Sequence, residues 1–138
     1  MVNDNKSIAR RVREEVWNDK NFGLANEIIS HDCLHHVHDP LTPEVGTGAA
    51  GLKKLVELYL NAFPDARCVV EEVIAEGDSV CVRWSVTATH TGALLHVPPT
   101  GKSVSIGGVD MYRFANGKIQ ESRIFWDAMR FAQQLGIS

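Results

Sequence analysis

The sequence has few cysteines and no long apolar run. Cys33, Cys68 and Cys81 are odd in number and scattered, without a C-x-x-C spacing. This pattern disfavours a disulfide framework and favours reduced thiols in the cytoplasm. The segment from Asn3 to Arg13 carries charges throughout and no apolar stretch, so we expect neither a signal peptide nor a membrane anchor.

The sequence also lacks an excess of positive charge. Its formal net charge is −3, so no overall field would attract nucleic acid or an anionic membrane. The basic cluster Arg10, Arg11 and Arg13 lies among Glu14 and Glu15 on a predicted helix, and we interpret it as a solvated face. The composition therefore predicts no nucleic-acid partner.

Motifs of common enzyme and cofactor classes are absent or out of context. No G-x-S-x-G, H-E-x-x-H or phosphate-binding loop occurs. Residues 46–51 match the G-x-G-x-x-G dinucleotide pattern, but Pro40 and Pro43 interrupt any strand before it. We interpret these glycines as the entry to a helix and expect no cofactor.

A histidine-rich stretch is the one candidate for metal binding. His36 and His38 would project from the same face of a strand. A third ligand, such as Asp39 or His90, would have to come from outside this pair. We therefore expect no metal, and interpret these histidines as polar edge or pocket-lining groups.

The residue periodicity predicts helices followed by strands. With 138 residues, of which 44% are apolar, the chain suits one domain over residues 1–138. Helical spacing of apolar residues is followed by segments rich in valine, threonine and aromatics. Helices are predicted at 5–19, 22–30 and 47–63 with a closing turn at 129–135, and strands at 33–38, 67–76, 79–89, 103–114 and 118–127. The fold class is therefore α+β, with N-terminal helices packed on a curved, mainly antiparallel sheet that encloses a pocket.

Asp110 is the most unusual acidic residue, because it lies within the apolar run 107–112. A carboxylate there is costly unless it is paired or faces a cavity, which makes Asp110 a candidate acid or base. A structural salt bridge, for instance to Arg83 or Arg123, is the alternative. An apolar environment would favour the neutral carboxyl and allow proton exchange near neutral pH.

The turn after Asp110 decides which residue lies opposite its side chain. A three-residue loop at 115–117 would place Asp110 and Ile124 on one face of the sheet. A two-residue loop at Asn116-Gly117 would bring Arg123 to that face instead. Both alternatives are open at the level of sequence.

Aromatic residues could supply flat apolar walls for a ring-containing ligand. The candidates are Trp17, Tyr59, Phe63, Trp84 and Trp126. Plain core packing is the alternative for each of them. His90 lies at a strand end beside the loop 92–101, where it could line the pocket mouth, and a surface histidine is the alternative.

The order of short motifs along nearly the whole chain resembles the SnoaL-like polyketide cyclases, also described as predicted ester cyclases. The motifs are AFPD at 62–65, VIAEGD at 73–78, VRW at 82–84, THTG at 89–92, VPPTGK at 97–102, and Asp127 followed by QQLG at 133–136. The resemblance implies the cone-shaped α+β barrel of the nuclear-transport-factor-like proteins, shared with ketosteroid isomerase. It also implies a homodimer made through the sheet.

The resemblance further implies ring closure by intramolecular aldol addition, without a cofactor, in which a pocket aspartate is the general acid and base. Here the position of that aspartate holds Ile124, a pocket histidine of the family falls on Asp110, and a pocket asparagine falls on His35. Epoxide hydrolysis on this scaffold would need an arginine where this chain has Gly108.

We therefore expect a cyclase or isomerase acting next to a carbonyl of a small apolar molecule. Asp110 is the expected base, and His35 the expected proton donor or carbonyl polariser. The alternative is a non-catalytic ligand-binding or accessory protein on the same scaffold.

Overall fold

The computed structural model describes residues 2–137 and confirms the α+β fold class. Within these residues, helices pack on a five-stranded sheet. The elements are α1 (Val2–Arg11), a π-helical segment (Val12–Trp17) that continues it, α2 (Phe22–Ile28), β1 (Ile29–Val37), α3 (Gly48–Ala62), β2 (Arg67–Glu76), β3 (Ser79–Thr89), β4 (Ser103–Ala115), β5 (Lys118–Trp126) and α4 (Ala128–Leu135). No helix in this part of the chain is both long and apolar enough to cross a lipid bilayer.

The sheet is mixed and open. Its strand order is β1-β5-β4-β3-β2, so β1 and β2 are the edges and the sheet does not close into a barrel. β2 to β5 form an antiparallel meander, whereas β1 runs parallel to β5. The parallel pairing is possible because α3 and three strands separate β1 from β5 in the chain.

The element boundaries follow local chemistry. The side chain of Asn21 accepts a hydrogen bond from the backbone N–H of Leu24 at the start of α2, and Asp127 accepts one from Arg130 at the start of α4. Gly136 ends α4 in the left-handed conformation, with φ of 75°.

The hairpin between β4 and β5 combines features of both sequence-level alternatives. Ala115 pairs with Lys118, so the turn has two residues, Asn116 and Gly117, both with positive φ. The register then shifts by one residue, because a β-bulge leaves Gln120 without a partner. Asp110 therefore lies opposite Ile124, although the loop is the short one.

The π-helical segment corrects the interpretation of Arg13 as part of a solvated face. Arg10 and Arg11 form surface ion pairs with Glu14 and Glu15, but the side chain of Arg13 is only 3% exposed. A π-helical turn is wider than an α-helical one, and such turns are frequent at functional sites. Here it places Arg13 on the side of the helix that faces the sheet.

Candidate functional site

An apolar cavity lies between the helices and the inner face of the sheet. Its volume is about 80 Å³. A void of this size is large enough to hold water molecules or a small apolar group. Its lining residues include the aromatics Trp17, Tyr59, Phe63, Trp84, Trp126 and Phe131, the aliphatics Val37, Leu55, Leu60, Val86, Ile106 and Ile124, and the polar residues Arg13 and Asn18.

A buried ion pair forms one polar region at this cavity. The guanidinium of Arg13 binds the carboxylate of Asp110 in a bidentate manner, with Nε–Oδ2 of 2.7 Å and Nη2–Oδ1 of 2.8 Å. Both side chains are almost completely buried. The structural salt bridge considered for Asp110 is therefore present, but its partner is Arg13. Arg83 and Arg123 instead pair with Glu72 and Glu121.

Two further side chains complete the surroundings of Asp110. Trp84 donates from Nε1 to Oδ1 over 3.0 Å, and Tyr112 donates its hydroxyl to Oδ2 over 2.8 Å. Each carboxylate oxygen thus accepts two hydrogen bonds, which fills the roughly four acceptor positions of the group. Arg13, Trp84, Asp110 and Tyr112 are called the ion-pair cluster below.

Gly108 permits this arrangement. It lies opposite Trp84 in the pairing of β3 with β4. A Cβ atom at Gly108 would lie 2.4 Å from Cζ2 of Trp84, closer than nonbonded atoms approach. The missing side chain therefore lets the indole cross β4 and reach Asp110.

The charge of Arg13 is held in place by its surroundings. Burial opposes the charged form, but attraction to Asp110 and hydrogen bonding to it outweigh burial, so the pKa of Arg13 is raised above its ordinary value. The guanidinium carbon also lies 3.9 Å from the ring centroid of Trp84 and 4.6 Å from that of Trp17. Arg13 is thus a fixed cation at the cavity wall.

Arg13 has N–H groups that do not bind Asp110. Only two of the five N–H groups of a guanidinium are bonded to Asp110, and the thiol of Cys68 is a further hydrogen-bond partner of the Arg13 side chain, which leaves N–H groups for a ligand. Asn18, by contrast, uses both ends of its amide on the backbone of Cys68, at 2.8 Å each. Burial raises the pKa of the Cys68 thiol beside it, partly offset by Arg13. Arg13 is therefore equipped to bind an acceptor atom in the cavity.

A second polar region adjoins the cavity where the loop after β1 meets α3 and β5. Asp39 accepts from Nε1 of Trp126 over 2.7 Å and from the hydroxyl of Thr42 over 2.9 Å. The hydroxyls of Thr42 and Tyr59 are also hydrogen-bonded to each other. Burial raises the pKa of Tyr59 above its ordinary value, the bond to Thr42 opposes this, and the charge of Asp39 adds to it. These four residues are called the loop cluster below.

The structure does not bring His35 to Asp110. The ring lies between β1 and α3, and its Nε2 is 2.8 Å from the carbonyl oxygen of Gly48. A carbonyl only accepts, so Nε2 carries the proton, while the buried Nδ1 has no partner among the described residues. Burial lowers the pKa of His35, partly offset by the bond to Gly48, and the residue does not line the cavity.

His90 is also displaced from its expected place at the pocket mouth. It is fully buried behind Phe63, with the two rings stacked at a centroid distance of 5.0 Å. Its Nδ1 accepts a hydrogen bond from the backbone N–H of Thr100, which closes the loop between β3 and β4. His90 therefore supports the cavity wall and does not form its surface.

His36 and His38 have local partners. Nε2 of His36 lies 2.9 Å from Glu121, and the ring of His38 stacks on Phe125 at 4.8 Å. Within residues 2–137, no group of three or more histidine, cysteine, aspartate or glutamate side chains is arranged to hold a metal ion.

Sequence reasoning identified much of the cavity wall but missed its main polar residue. Trp17, Tyr59, Phe63, Trp84, Ile124 and Trp126, all named from sequence, line the cavity. Arg13 was missed because its neighbours in the chain are charged. One signal was available: Ala9, Arg13 and Trp17 follow each other at four-residue spacing, next to the apolar stripe of the helix.

The fold and its internal cavity define a protein of the nuclear-transport-factor-like class. A protein from Jannaschia sp. CCS1, assigned as a SnoaL-like polyketide cyclase, is 25% identical over 99% of this chain and 94% of its own, with a TM-score of 0.87. AclR from Streptomyces galilaeus, assigned as a hydroxylase, is 31% identical over 99% of this chain and 83% of its own, with a TM-score of 0.81. A protein from Acidithiobacillus ferrooxidans, assigned as a polyketide cyclase, is 29% identical over 96% of this chain and 94% of its own, with a TM-score of 0.81.

The family model for the SnoaL-like polyketide cyclases matches residues 7–135. The chain therefore belongs to the SnoaL-like polyketide cyclase family. None of the curated proteins shows significant sequence similarity to it.

Proposed function

We propose that this protein is a cofactor-independent cyclase or isomerase that acts next to a carbonyl group of a small, apolar, ring-containing molecule. Membership of a family that acts on polyketides supports a carbonyl-rich substrate. The observation that carries the proposal is the cation of Arg13, which lies in a mainly apolar cavity wall and has N–H groups that Asp110 does not use.

In this proposal, Arg13 binds the carbonyl oxygen and stabilises the negative charge that develops on it when the neighbouring carbon loses a proton. Fixed donors in a dry site stabilise such charge strongly, because no solvent has to reorganise. Asp110 acts as a positioning residue, because its carboxylate oxygens already accept hydrogen bonds from Arg13, Trp84 and Tyr112. This assigns the carbonyl-polarising role, which sequence reasoning gave to His35, to Arg13.

The aromatic lining residues hold the ring of the substrate. The rings of Tyr59 and Phe131 are both roughly perpendicular to that of Trp126, at centroid distances of 5.9 Å and 5.0 Å. Flat side chains bury a large apolar area and lose little conformational entropy when a ligand binds. The proposed ligand is therefore a compact cyclic ketone or an open chain that folds into a ring.

A matched ligand pair tests the proposal. 2-Tetralone and tetralin share one skeleton and differ by a carbonyl oxygen. We expect the protein to bind 2-tetralone at least about tenfold more tightly, because a hydrogen bond to a charged group contributes about 1.5–3 kcal/mol. Titration calorimetry measures both affinities, and NMR in D₂O measures exchange of the hydrogens next to the carbonyl. Equal affinities together with no accelerated exchange would refute the proposal.

Arginine variants show whether the preference comes from Arg13. Arg13→Lys keeps a charge, whereas Arg13→Met removes every donor, and Arg10→Met is a control on the exposed face of the same helix. We expect Arg13→Met to remove the preference for 2-tetralone and Arg10→Met to retain it. If Arg13→Met affects folding, the same comparison in Arg13→Lys decides, since its single ammonium cannot replace the guanidinium fork.

We also propose a homodimer made through the outer face of the sheet. Met111 and Phe125 project from β4 and β5 on the face away from the cavity, and are 45% and 42% exposed. Exposed apolar side chains that share one face are typical of an interface. Light scattering should give twice the chain mass for the wild type and the monomer mass for Met111→Lys/Phe125→Lys.

A cytoplasmic location completes the proposal. All three cysteines have free thiols in the structure, and Cys33 and Cys68 are buried. Free thiols suit a reducing compartment. Alkylation of the thiols in intact cells, read by mass spectrometry, should find all three reduced.

A further inference from the structure

The proposed function requires a group that accepts the proton next to the carbonyl, and the ion-pair cluster offers none. Asp110 does not line the cavity: it is fully buried and ion-paired with Arg13. The loop cluster differs in this respect, because it leads from the cavity wall toward solvent. Tyr59 lines the cavity, while Thr42 and the partly exposed Asp39 lie behind it.

The hydrogen bonds of the loop cluster have a definite direction. A carboxylate only accepts, so Thr42 donates its single hydroxyl hydrogen to Asp39, at 2.9 Å to Oδ2 and 3.1 Å to Oδ1. The hydrogen between Thr42 and Tyr59 must then belong to Tyr59. Tyr59 therefore donates to Thr42, Thr42 donates to Asp39, and the phenol oxygen keeps free lone pairs.

We infer that Tyr59, Thr42 and Asp39 form a proton relay that removes the hydrogen next to the substrate carbonyl. This inference rests on the proposed function. The proton leaves carbon for the phenol oxygen of Tyr59, the proton of Tyr59 passes to the oxygen of Thr42, and the proton of Thr42 passes to Asp39. The electron pair of the C–H bond forms the C=C bond of the enolate, and the carbonyl π pair moves to the oxygen that Arg13 binds.

The relay returns to its starting state by the reverse path. In an isomerase, the proton on Asp39 passes back through Thr42 and Tyr59 to another carbon of the enolate. In a cyclase, the enolate carbon forms a bond to a second carbonyl carbon, and the new alkoxide takes up the proton. Neither the isomerase reaction nor the cyclase reaction requires an oxidant, a reductant or a metal.

Other contacts hold the relay in place. Asp39 accepts hydrogen bonds from the backbone N–H groups of Leu41 and Thr42 at 2.8 and 2.9 Å, which fixes the loop around its carboxylate. Nε1 of Trp126 binds Oδ2 at 2.7 Å and ties this carboxylate to the cavity wall. The relay is therefore ordered before substrate binds.

Exchange of 2-tetralone hydrogens in D₂O, followed by NMR, tests the relay. Thr42→Val removes the central hydroxyl without changing the size of the side chain. We expect it to slow exchange about 100-fold or more, the contribution typical of a positioned base. Thr42→Ser should restore most of the rate, and Thr87→Val, on the exposed surface of β3, is a matched control. Tetralin affinity reports on the cavity and should stay within about twofold in all of these variants.

The outcomes separate the relay from the proposed function. Exchange by the wild type that persists unchanged in Thr42→Val overturns the relay and leaves the proposed function standing. No exchange by the wild type overturns the relay, and the proposed function falls with it when 2-tetralone and tetralin also bind with equal affinity. If Thr42→Val also weakens tetralin binding, Tyr59→Phe decides, because it removes only the phenol oxygen. A wild-type exchange rate in Tyr59→Phe overturns the relay.

Discussion

The ion-pair cluster and the loop cluster both place an aspartate near the same cavity, yet their surroundings differ. Asp110 is fully buried between two strands and bound to a cation, whereas Asp39 lies in a partly exposed loop and is bound to neutral donors. The first carboxylate has no path to water, while the second adjoins solvent. The comparison indicates that a buried acid in an apolar strand is suited to hold a partner in place, and a loop acid to exchange protons.

The largest loss in the free energy of unfolding is expected for a change in the ion-pair cluster. Arg13→Met leaves the carboxylate of Asp110 buried without a counter-charge, which should lower the free energy of unfolding by about 3–5 kcal/mol. Urea denaturation measures this. Arg10→Met, which loses only an exposed pair with Glu14, should cost less than about 0.5 kcal/mol.

The double variant Arg13→Met/Asp110→Asn then shows how much of that loss in the free energy of unfolding comes from the unpaired charge. It should recover part of the stability, because no buried carboxylate is left uncompensated. A double variant less stable than Arg13→Met would contradict this account of the cluster.

The next largest effect is expected at Gly108. In Gly108→Ala the new methyl group would lie 2.4 Å from the indole of Trp84 and 2.8 Å from the carbonyl oxygen of Phe125, so the indole must move and lose its bond to Asp110, and β5 must shift. We expect a loss of about 2 kcal/mol in the free energy of unfolding. Gly107→Ala is the matched control, since its nearest contact would be an ordinary 3.4 Å to the carbonyl oxygen of Trp84. Equal losses in the two variants would argue against crowding at Gly108 as the cause.

A smaller effect is expected in the loop cluster. Thr42→Val removes hydroxyl bonds that are partly exposed, and should lower the free energy of unfolding by about 1 kcal/mol. The measurement is again urea denaturation, with Thr87→Val for comparison. A loss as large as that of Arg13→Met would remove the contrast between the two clusters.

The smallest expected effect is a pH dependence of stability, and it comes from His35, which belongs to neither cluster. The pKa of His35 is lowered by burial, so the unfolded chain takes up a proton at a higher pH than the folded one. Stability should therefore decrease as the pH falls below about 6.5, the value for an unfolded histidine, until the folded pKa is passed. His35→Gln should flatten this decrease in urea denaturation at pH 7.5 and 5, whereas His31→Gln, at an exposed site, should not.

The boundaries of β2 to β5 were accessible from the sequence, because the signals for them are local, whereas β1 begins at Ile29 and not at residue 33 as predicted. Valine and threonine runs bounded by Gly77-Asp78 and Asn116-Gly117 predicted β2 to β5 to within a residue or two. The parallel pairing of β1 with β5 and the bulge at Gln120 were not predicted. Both depend on contacts between segments far apart in the chain or on opposite strands.

The candidate site was predicted in part for the same reason. Large aromatics such as Trp84 and Trp126 identify apolar walls by composition alone. The partner of Asp110 could not be identified, because Arg13 lies 97 residues away in a helix whose neighbouring residues are charged. The directed bonds from Tyr59 to Asp39 depend on where a proline-containing loop meets α3, which no spacing encodes.

The sequence by itself determined the α+β class, the order of the elements and the apolar character of the cavity walls, since these follow from periodicity and turn chemistry. Only the tertiary structure decided which charges meet inside. A buried aspartate must find a partner or become neutral, and packing of the π-helical segment against the sheet supplied Arg13. That contact is set by the geometry of packing and not by neighbours in the chain.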